Sequence, residues 1–229
     1  MKKPVLILVM IKGIIFDFDG VITESVHIKS AGFSEIYKPY GPPTVKKVVK
    51  HHEANGGMSR FKKIKFYHKT FLNTSLSNQE INHIANQFSE YVVDRVVNAQ
   101  YVPNVLEFIK HSYGNYKLFI STGTPTTEIK KILKLKKIMK YFKSVYGSPA
   151  LKNDHVKLIC SKYNLKSDEL IFFGDSKTDM EAAAANGIKF VLMLHKHNKK
   201  YFQNYNGQKI VSFQSLDISS IYNQNWSRS

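Results

Sequence analysis

Gly13-Ile14-Ile15-Phe16-Asp17-Phe18-Asp19-Gly20-Val21-Ile22 is the stretch on which the fold turns. Its opening, apolar and rich in β-branched isoleucine, reads as a buried strand. The run stops on two carboxylates separated by one phenylalanine. Residues two apart in an extended chain point to the same side, so Asp17 and Asp19 can face one site at the strand's end. Gly20 lets the chain leave sharply. Ionised carboxylates held this close repel, and burying them is costly unless a cation or proton lies between them. A divalent metal is the simplest compensation, and Mg²⁺ prefers oxygen ligands. The alternative is a pair of solvated aspartates in a loop, and the rest of the chain has to decide between the two.

Working outward, the pattern changes after Ile22. Residues 23–98 contain no convincing strand and read as helices over about 24–37, 43–54, 59–72 and 78–98, by apolar spacing and breaks. The breaks fall at 39–43, at Asn55-Gly56-Gly57 and at 73–77; Ser77-Asn78-Gln79-Glu80 is a capping box. Ile81, Ile84, Phe88 and Tyr91 follow three- and four-residue spacing. This is a helical insert, too long for an ordinary crossover. From Pro103 strands and helices alternate. Strands are expected at 116–121, 144–146, 170–173, 188–194 and 209–213. Helices are expected from Pro103, from Thr124-Pro125 by a cap and first-turn proline, at 152–163 and at 177–185. Such alternation implies an α/β fold: a Rossmann-like parallel sheet with helices on both faces, plus an inserted α-helical cap domain. The division reads as a core of residues 1–22 and 99–216, a cap of 23–98 and a polar tail of 217–229 expected to be disordered.

Composition sets the bounds. The 229 residues fit one large domain or a domain with an insert, and 43% apolar content supports a core. The net charge of +17 comes from lysines scattered along the chain, with no nucleic-acid-reading motif, so no nucleic acid partner is expected. A positive field would still draw in an anionic substrate. The single cysteine, Cys160, cannot form an internal disulfide, reads as a buried inert thiol, and suits a reducing cytoplasm. Lys2-Lys3 and the apolar residues to Met10 imitate a signal peptide, but the run continues into the Asp17 strand and has no cleavage site, so secretion is rejected. Residues 1–9 read either as a strand extension or as sequence upstream of a natural start at Met10. No segment reaches membrane-spanning length. Oligomeric state has no signature here.

Ligands of such sheets bind at the C-terminal ends of the strands. Four strand ends carry chemistry. The first holds Asp17 and Asp19. The second ends at Thr122-Gly123-Thr124, where a hydroxyl and free N–H groups at a turn can cradle phosphate oxygens. Lys152, after the third, supplies a point charge for an anion. The fourth ends in Gly174-Asp175, with Asp179 four residues on. Asp175 can coordinate the same metal as Asp17, and Asp179 can support it from one helical turn away. Each has a plain alternative: Thr122 a turn residue, Lys152 a surface charge, Asp175 and Asp179 helix caps. Four coincidences in this order are improbable together.

The set resembles the haloacid dehalogenase-like hydrolase superfamily over nearly all of residues 12–195. Asp17-Phe18-Asp19-Gly20 is similar to its first motif, Asp-x-Asp-Gly; Thr122 and Lys152 fall on the second and third; Gly174-Asp175-Ser176-Lys177-Thr178-Asp179 falls on the fourth, Gly-Asp-x-x-x-Asp. The insert resembles the small helical cap of the phosphoglycolate phosphatase and β-phosphoglucomutase branch. Asp19 stands where the dehalogenases usually have tyrosine, which argues for phosphoryl chemistry. The resemblance implies a phosphatase of a small phosphorylated metabolite, with a β-phosphoglucomutase-like phosphomutase as the alternative. In it Asp17 is the nucleophile that forms an aspartyl-phosphate and Asp19 the acid and base. Mg²⁺ is held by Asp17, the Asp19 carbonyl and Asp175, and Thr122, Gly123 and Lys152 hold the transferred group. Gly57-Met58-Ser59-Arg60 resembles a cap loop in which Arg60 would pair with a distal phosphate or carboxylate; the plainer expectation is Ser59 as a helix cap with Arg60 exposed. His27 and Lys29, shortly after the first motif, could look into the cleft, but an exposed helix face is favoured for them, as it is for His51 and His52. His195 falls at the site rim without an assigned role.

Overall fold

A computed structural model of the chain describes residues 10–223; the expected N-terminal extension at 1–9 and the last part of the polar tail lie outside the described residues. The first strand, β1 (Gly13–Phe16), is buried on both faces. Four helices follow it: α1 (Val26–Tyr37), α2 (Pro42–Ala54), α3 (Arg60–Phe71) and α4 (Asn78–Asn98). Their ends lie within two residues of the expected ones because the local signals are strong. Pro42 opens α2, where a missing N–H costs nothing. Both arms of the Ser77–Glu80 capping box form at α4. These helices close on an aromatic centre in which Phe33 lies 4.4 Å from Phe88 and 5.6 Å from Tyr67, ring centre to ring centre.

The chain then runs through α5 (Val105–Ser112), β2 (Lys117–Pro125), α6 (Thr126–Leu135), β3 (Ser144–Ser148), α7 (Lys152–Tyr163), β4 (Leu170–Gly174), α8 (Lys177–Ala185), β5 (Lys189–Met193), β6 (Lys209–Ile210) and α9 (Ile218–Asn223). The described strands form one parallel sheet in the order β3-β2-β1-β4-β5-β6. Period-two alternation divides β1 between two cores. Ile14 and Phe16 pack with Phe108, Ile109, Ile129 and Ile132 from α5 and α6, whereas Ile15 packs with Val156, Ile159, Ala182 and Ala183 from α7 and α8. Helices therefore cover both faces, as the α/β reading requires.

This strand order reverses direction at β1, between β2 and β4, and a crevice opens at such a switch point beyond the carboxyl ends of the strands. Register decides what meets there. Phe16 pairs with Ile120 of β2 and Phe173 of β4. The next residues, Asp17, Ser121-Thr122 and Gly174-Asp175, consequently emerge side by side.

Two elements of the fold differ most from the sequence reading. β2 does not turn after Ser121 but runs on to Pro125, with a register irregularity against β3. Pro125, not Thr124, is the residue that precedes α6, and no side-chain cap forms there. Thr124 is drawn into the strand by side-chain bonds to Asp19 and Lys29. The tail is the second difference. Its first part forms α9, and Ile218 and Ile221 are buried against the core face that holds Phe213. Polar composition masked two apolar residues at helical spacing. Ile221→Ala is expected to lower unfolding stability by about 3 kcal/mol, the usual cost of emptying a buried isoleucine site. Urea unfolding measures this, and an unchanged midpoint would mean that the segment does not pack.

Candidate active site

β1 carries the site's first carboxylate in register. The Asp17 N–H donates to the Phe173 carbonyl at 2.9 Å, which extends the β1–β4 ladder up to the functional residue. The Asp17 side chain is buried. Its Oδ1 accepts the Phe18 N–H at 2.6 Å and its Oδ2 accepts from Lys152 Nζ at 2.7 Å. Lys152, at the start of α7, also donates to Asp179 Oδ1 at 2.5 Å. Asp179 Oδ2 in turn accepts the Ser176 hydroxyl at 2.5 Å and the Ser176 N–H at 3.1 Å, closing a capping box at α8. Asp175 completes the group. Its backbone carbonyl accepts from Asn198 Nδ2 at 2.9 Å, and His197 Nε2 lies 3.5 Å from its Oδ2. Gly20 turns with φ +76°, and a Cβ there would collide with Asp175 Oδ2.

One carboxylate oxygen each from Asp17, Asp175 and Asp179 lies within 4.8 Å of the others. Burial pushes the Asp17 carboxyl up to about 7; Lys152 opposes the shift, and Asp179 and Asp19 add to it. Burial also raises Asp175 and Asp179. For Lys152, burial would lower the ammonium, but Asp17 and Asp179 override it and hold it above the usual lysine range. One lysine thus faces an excess of negative charge, and the donors are all oxygens. A hard divalent cation fits such a set.

Asp19 has the opposite environment. It is ion-paired to Lys29, and it accepts hydroxyls from Ser25 at 2.6 Å and Thr124 at 3.2 Å. Burial pushes its carboxyl up, but Lys29 with those hydroxyls overrides it, so it lies below its ordinary value. The carboxyls of two aspartates two residues apart are therefore shifted in opposite directions, which is how environments assign separate roles to like groups. The Asp19 carboxylate lies outside the acidic cluster, and that of Asp179, read from sequence as a support, lies inside it.

The cavity over these residues is roofed by the inserted helices, with Phe33, His52, Arg60, Lys63 and Phe88 lining it. Thr122 and Gly123 line its floor. Thr122 is buried within the strand rather than at a turn, and its Oγ1 accepts the Thr124 N–H at 3.3 Å. A Cβ on Gly123 would strike the Gly57 carbonyl, so this glycine admits the insert's loop against the strand ends.

Arg60 departs from the exposed position expected for it as a plain helix-start residue. It is buried, not exposed, and its guanidinium forks onto Glu128 of α6, with Nη1 2.8 Å from Oε2 and Nη2 paired with Oε1. Nη1 also donates to Ser89 Oγ at 2.6 Å. Ser59 makes no side-chain cap. The arginine's partner is thus inside the chain, because the insert folds down onto α6. Lys29 and His52 also depart from the exposed face expected for them. Lys29 turns inward to Asp19, and His52 is buried beside Lys63; His27 is exposed and His51 half-buried. His195 Nε2 lies 2.6 Å from the Gly20 carbonyl and its ring stacks on His197. Sequence reasoning missed Lys63, Glu128, His197 and Asn198. None carries a motif, and only the folded chain brings them to the site.

A family model described as haloacid dehalogenase-like hydrolase matches residues 14–193, from β1 to β5. The chain belongs to this family. A phosphoglycolate phosphatase of Pasteurella multocida is 27% identical over 197 residues, covering 80% of this chain and 85% of the relative. Among solved structures, a β-phosphoglucomutase of Clostridium difficile superposes with a TM-score of 0.75 at 19% identity, covering 93% of this chain and 96% of the other. A predicted phosphoglycolate phosphatase of Haemophilus somnus superposes at 0.70 and 21% identity, covering 89% and 95%. The haloacid dehalogenase-like fold is thereby established for this chain. Glu128→Gln would leave the buried Arg60 cation unpaired; a loss of about 3 kcal/mol in unfolding stability is expected, read from denaturant midpoints.

Proposed function

We propose that this hydrolase is a Mg²⁺-dependent phosphatase that cleaves a small phosphorylated metabolite through an aspartyl-phosphate on Asp17. The observation that carries the reading is the meeting of Asp17, Asp175, Asp179 and Lys152 at the switch point, beside a differently tuned Asp19. Asp17, Asp175 and the Asp19 backbone carbonyl would hold the cation, with Asp179 adjoining them. A bound dication would neutralise phosphate charge and align the attack.

An Asp17 oxygen attacks phosphorus, and the bond from phosphorus to the leaving alkoxide breaks. Lys152 and Thr122, with the N–H groups around Gly123, hold the equatorial oxygens where charge builds. Asp19 supplies the proton to the departing oxygen. At rest it is ionised against Lys29; a phosphate dianion that attracts Lys29 weakens that pair and raises the Asp19 pKa toward the acid form. In the second half, Asp19 takes the proton from the water that attacks the aspartyl-phosphate, releasing inorganic phosphate and restoring Asp17. The insert of residues 23–98 acts as the cap that excludes bulk water and selects the leaving group. A phosphomutase would need a second phosphate site, and Arg60, its expected holder, is already committed to Glu128. The lone cysteine suits a reducing cytoplasm, and no helix among the described residues is long and apolar enough to cross a membrane.

Asp17→Asn is expected to reduce phosphate release by more than about a thousandfold, as loss of a nucleophile does, with the unfolding midpoint kept. Substantial residual turnover in a clean preparation would count against the assignment. Mg²⁺ affinity is expected to be level above pH 7 and to fall at least about tenfold per unit below it. The sign follows because the Asp17 proton, retained up to about pH 7, must leave before the carboxylate can ligate. Calorimetric Mg²⁺ titrations at pH 6, 7 and 8 would check this.

A further inference from the structure

The buried and half-buried cations around the cavity differ in one respect; Lys177, also in its lining, is exposed. Lys152 is paired with Asp17 and Asp179, Lys29 with Asp19, and Arg60 with Glu128. Lys63 is as deeply buried as any of them, yet no acidic group lies within ion-pair distance of it among the described residues. Its Nζ lies 2.8 Å from His52 Nδ1 and 3.3 Å from the His52 carbonyl. Burial, with Lys63 beside it, keeps the His52 ring well below its usual range and so neutral, with Nδ1 free to accept. An ammonium has three donors; two are directed at His52 and one is left. The walls beside it are aromatic, with the Phe33 ring centre 5.8 Å from Nζ. Burial, reinforced by Lys29 and opposed by the more distant Asp19, pulls the Lys63 ammonium down to about 7.

A buried cation without a counter-ion is costly to the fold. A counter-ion that arrives with the ligand removes that cost and makes the position selective. We propose that Lys63, oriented by His52, is the residue that recognises a carboxylate on the leaving-group half of the substrate. The assignment rests on the phosphatase reading for which half of the substrate lies under the insert. Charge balance favours a carboxylate over a second phosphate. One point charge matches one negative charge, whereas a phosphate dianion would leave net charge buried once Lys29 and Arg60 are engaged elsewhere. Lys63 is then a specificity residue of the cap, in the place the sequence suggested for Arg60.

The test measures binding without turnover. In the Asp17→Asn background, calorimetry compares chains with and without Lys63→Met for 2-phosphoglycolate and for ethyl phosphate, which has a methyl group in place of the carboxylate. Lys63→Met is expected to weaken 2-phosphoglycolate by about 10- to 100-fold, the worth of a hydrogen bond to a charged group, and to leave ethyl phosphate within about twofold. The melting temperature of the Lys63→Met chain is expected to rise, because an unpaired buried cation is replaced by an apolar side chain of similar length. Equal weakening of both ligands, or no effect on either, overturns the proposal, as does a larger effect on glucose 1,6-bisphosphate than on 2-phosphoglycolate. Phosphate release by the unaltered chain is scored separately: its absence from every ester tried would count against the phosphatase reading, while the binding comparison still decides Lys63.

Discussion

The mutual repulsion of buried carboxylates at the end of β1 is the constraint on which the site depends. Asp17, Asp175 and Asp179 come from two strand ends and a helix start, and nothing in their chemistry favours proximity. Lys152 makes the arrangement tolerable by bonding two of them at once. One lysine does not balance three carboxylates; burial is the main cause that raises their carboxyls, and the neighbouring carboxylates add to it. A hard divalent cation would relieve such a surplus.

The sheet supplies the rigidity this needs. The β1 and β4 ladder brings Asp17 and Asp175 out next to each other, and main-chain bonds, not side-chain preference, fix their spacing. The strands that carry the groups are buried on both faces and anchored by two separate cores.

The helical insert works by a different principle. At the cavity edge its contacts with the core include the Arg60 fork onto Glu128, the Lys29 pair with Asp19, the Thr178 hydroxyl donating to the Gly56 carbonyl at 3.2 Å, and the close approach of Gly57 to Gly123. A buried bidentate ion pair fixes orientation more than it adds stability. It sets the insert over the strand ends and leaves Lys63 and His52 facing the cavity. The same closure engages the guanidinium that the loop motif seemed to offer to a ligand.

The sequence by itself determined what depends on local pattern. Hydrophobic period, capping boxes and first-turn prolines placed the helices and strands, and the spacing of Asp17-Phe18-Asp19-Gly20 and of Gly174 through Asp179 placed the acidic groups at strand ends. Those features arise within a few residues of chain, so they can be read along it. Tertiary structure decided whatever depends on distant partners. Lys29 faces Asp19 rather than solvent, Arg60 meets Glu128 across 68 positions, and Ile221 packs from a tail that looked polar. Long-range pairs leave no periodic trace, because a charge takes its partner from where the chain returns to it in space. For that reason the acidic centre was legible before folding, and the burial of Lys63 against His52, with no acidic group within ion-pair distance among the described residues, was not.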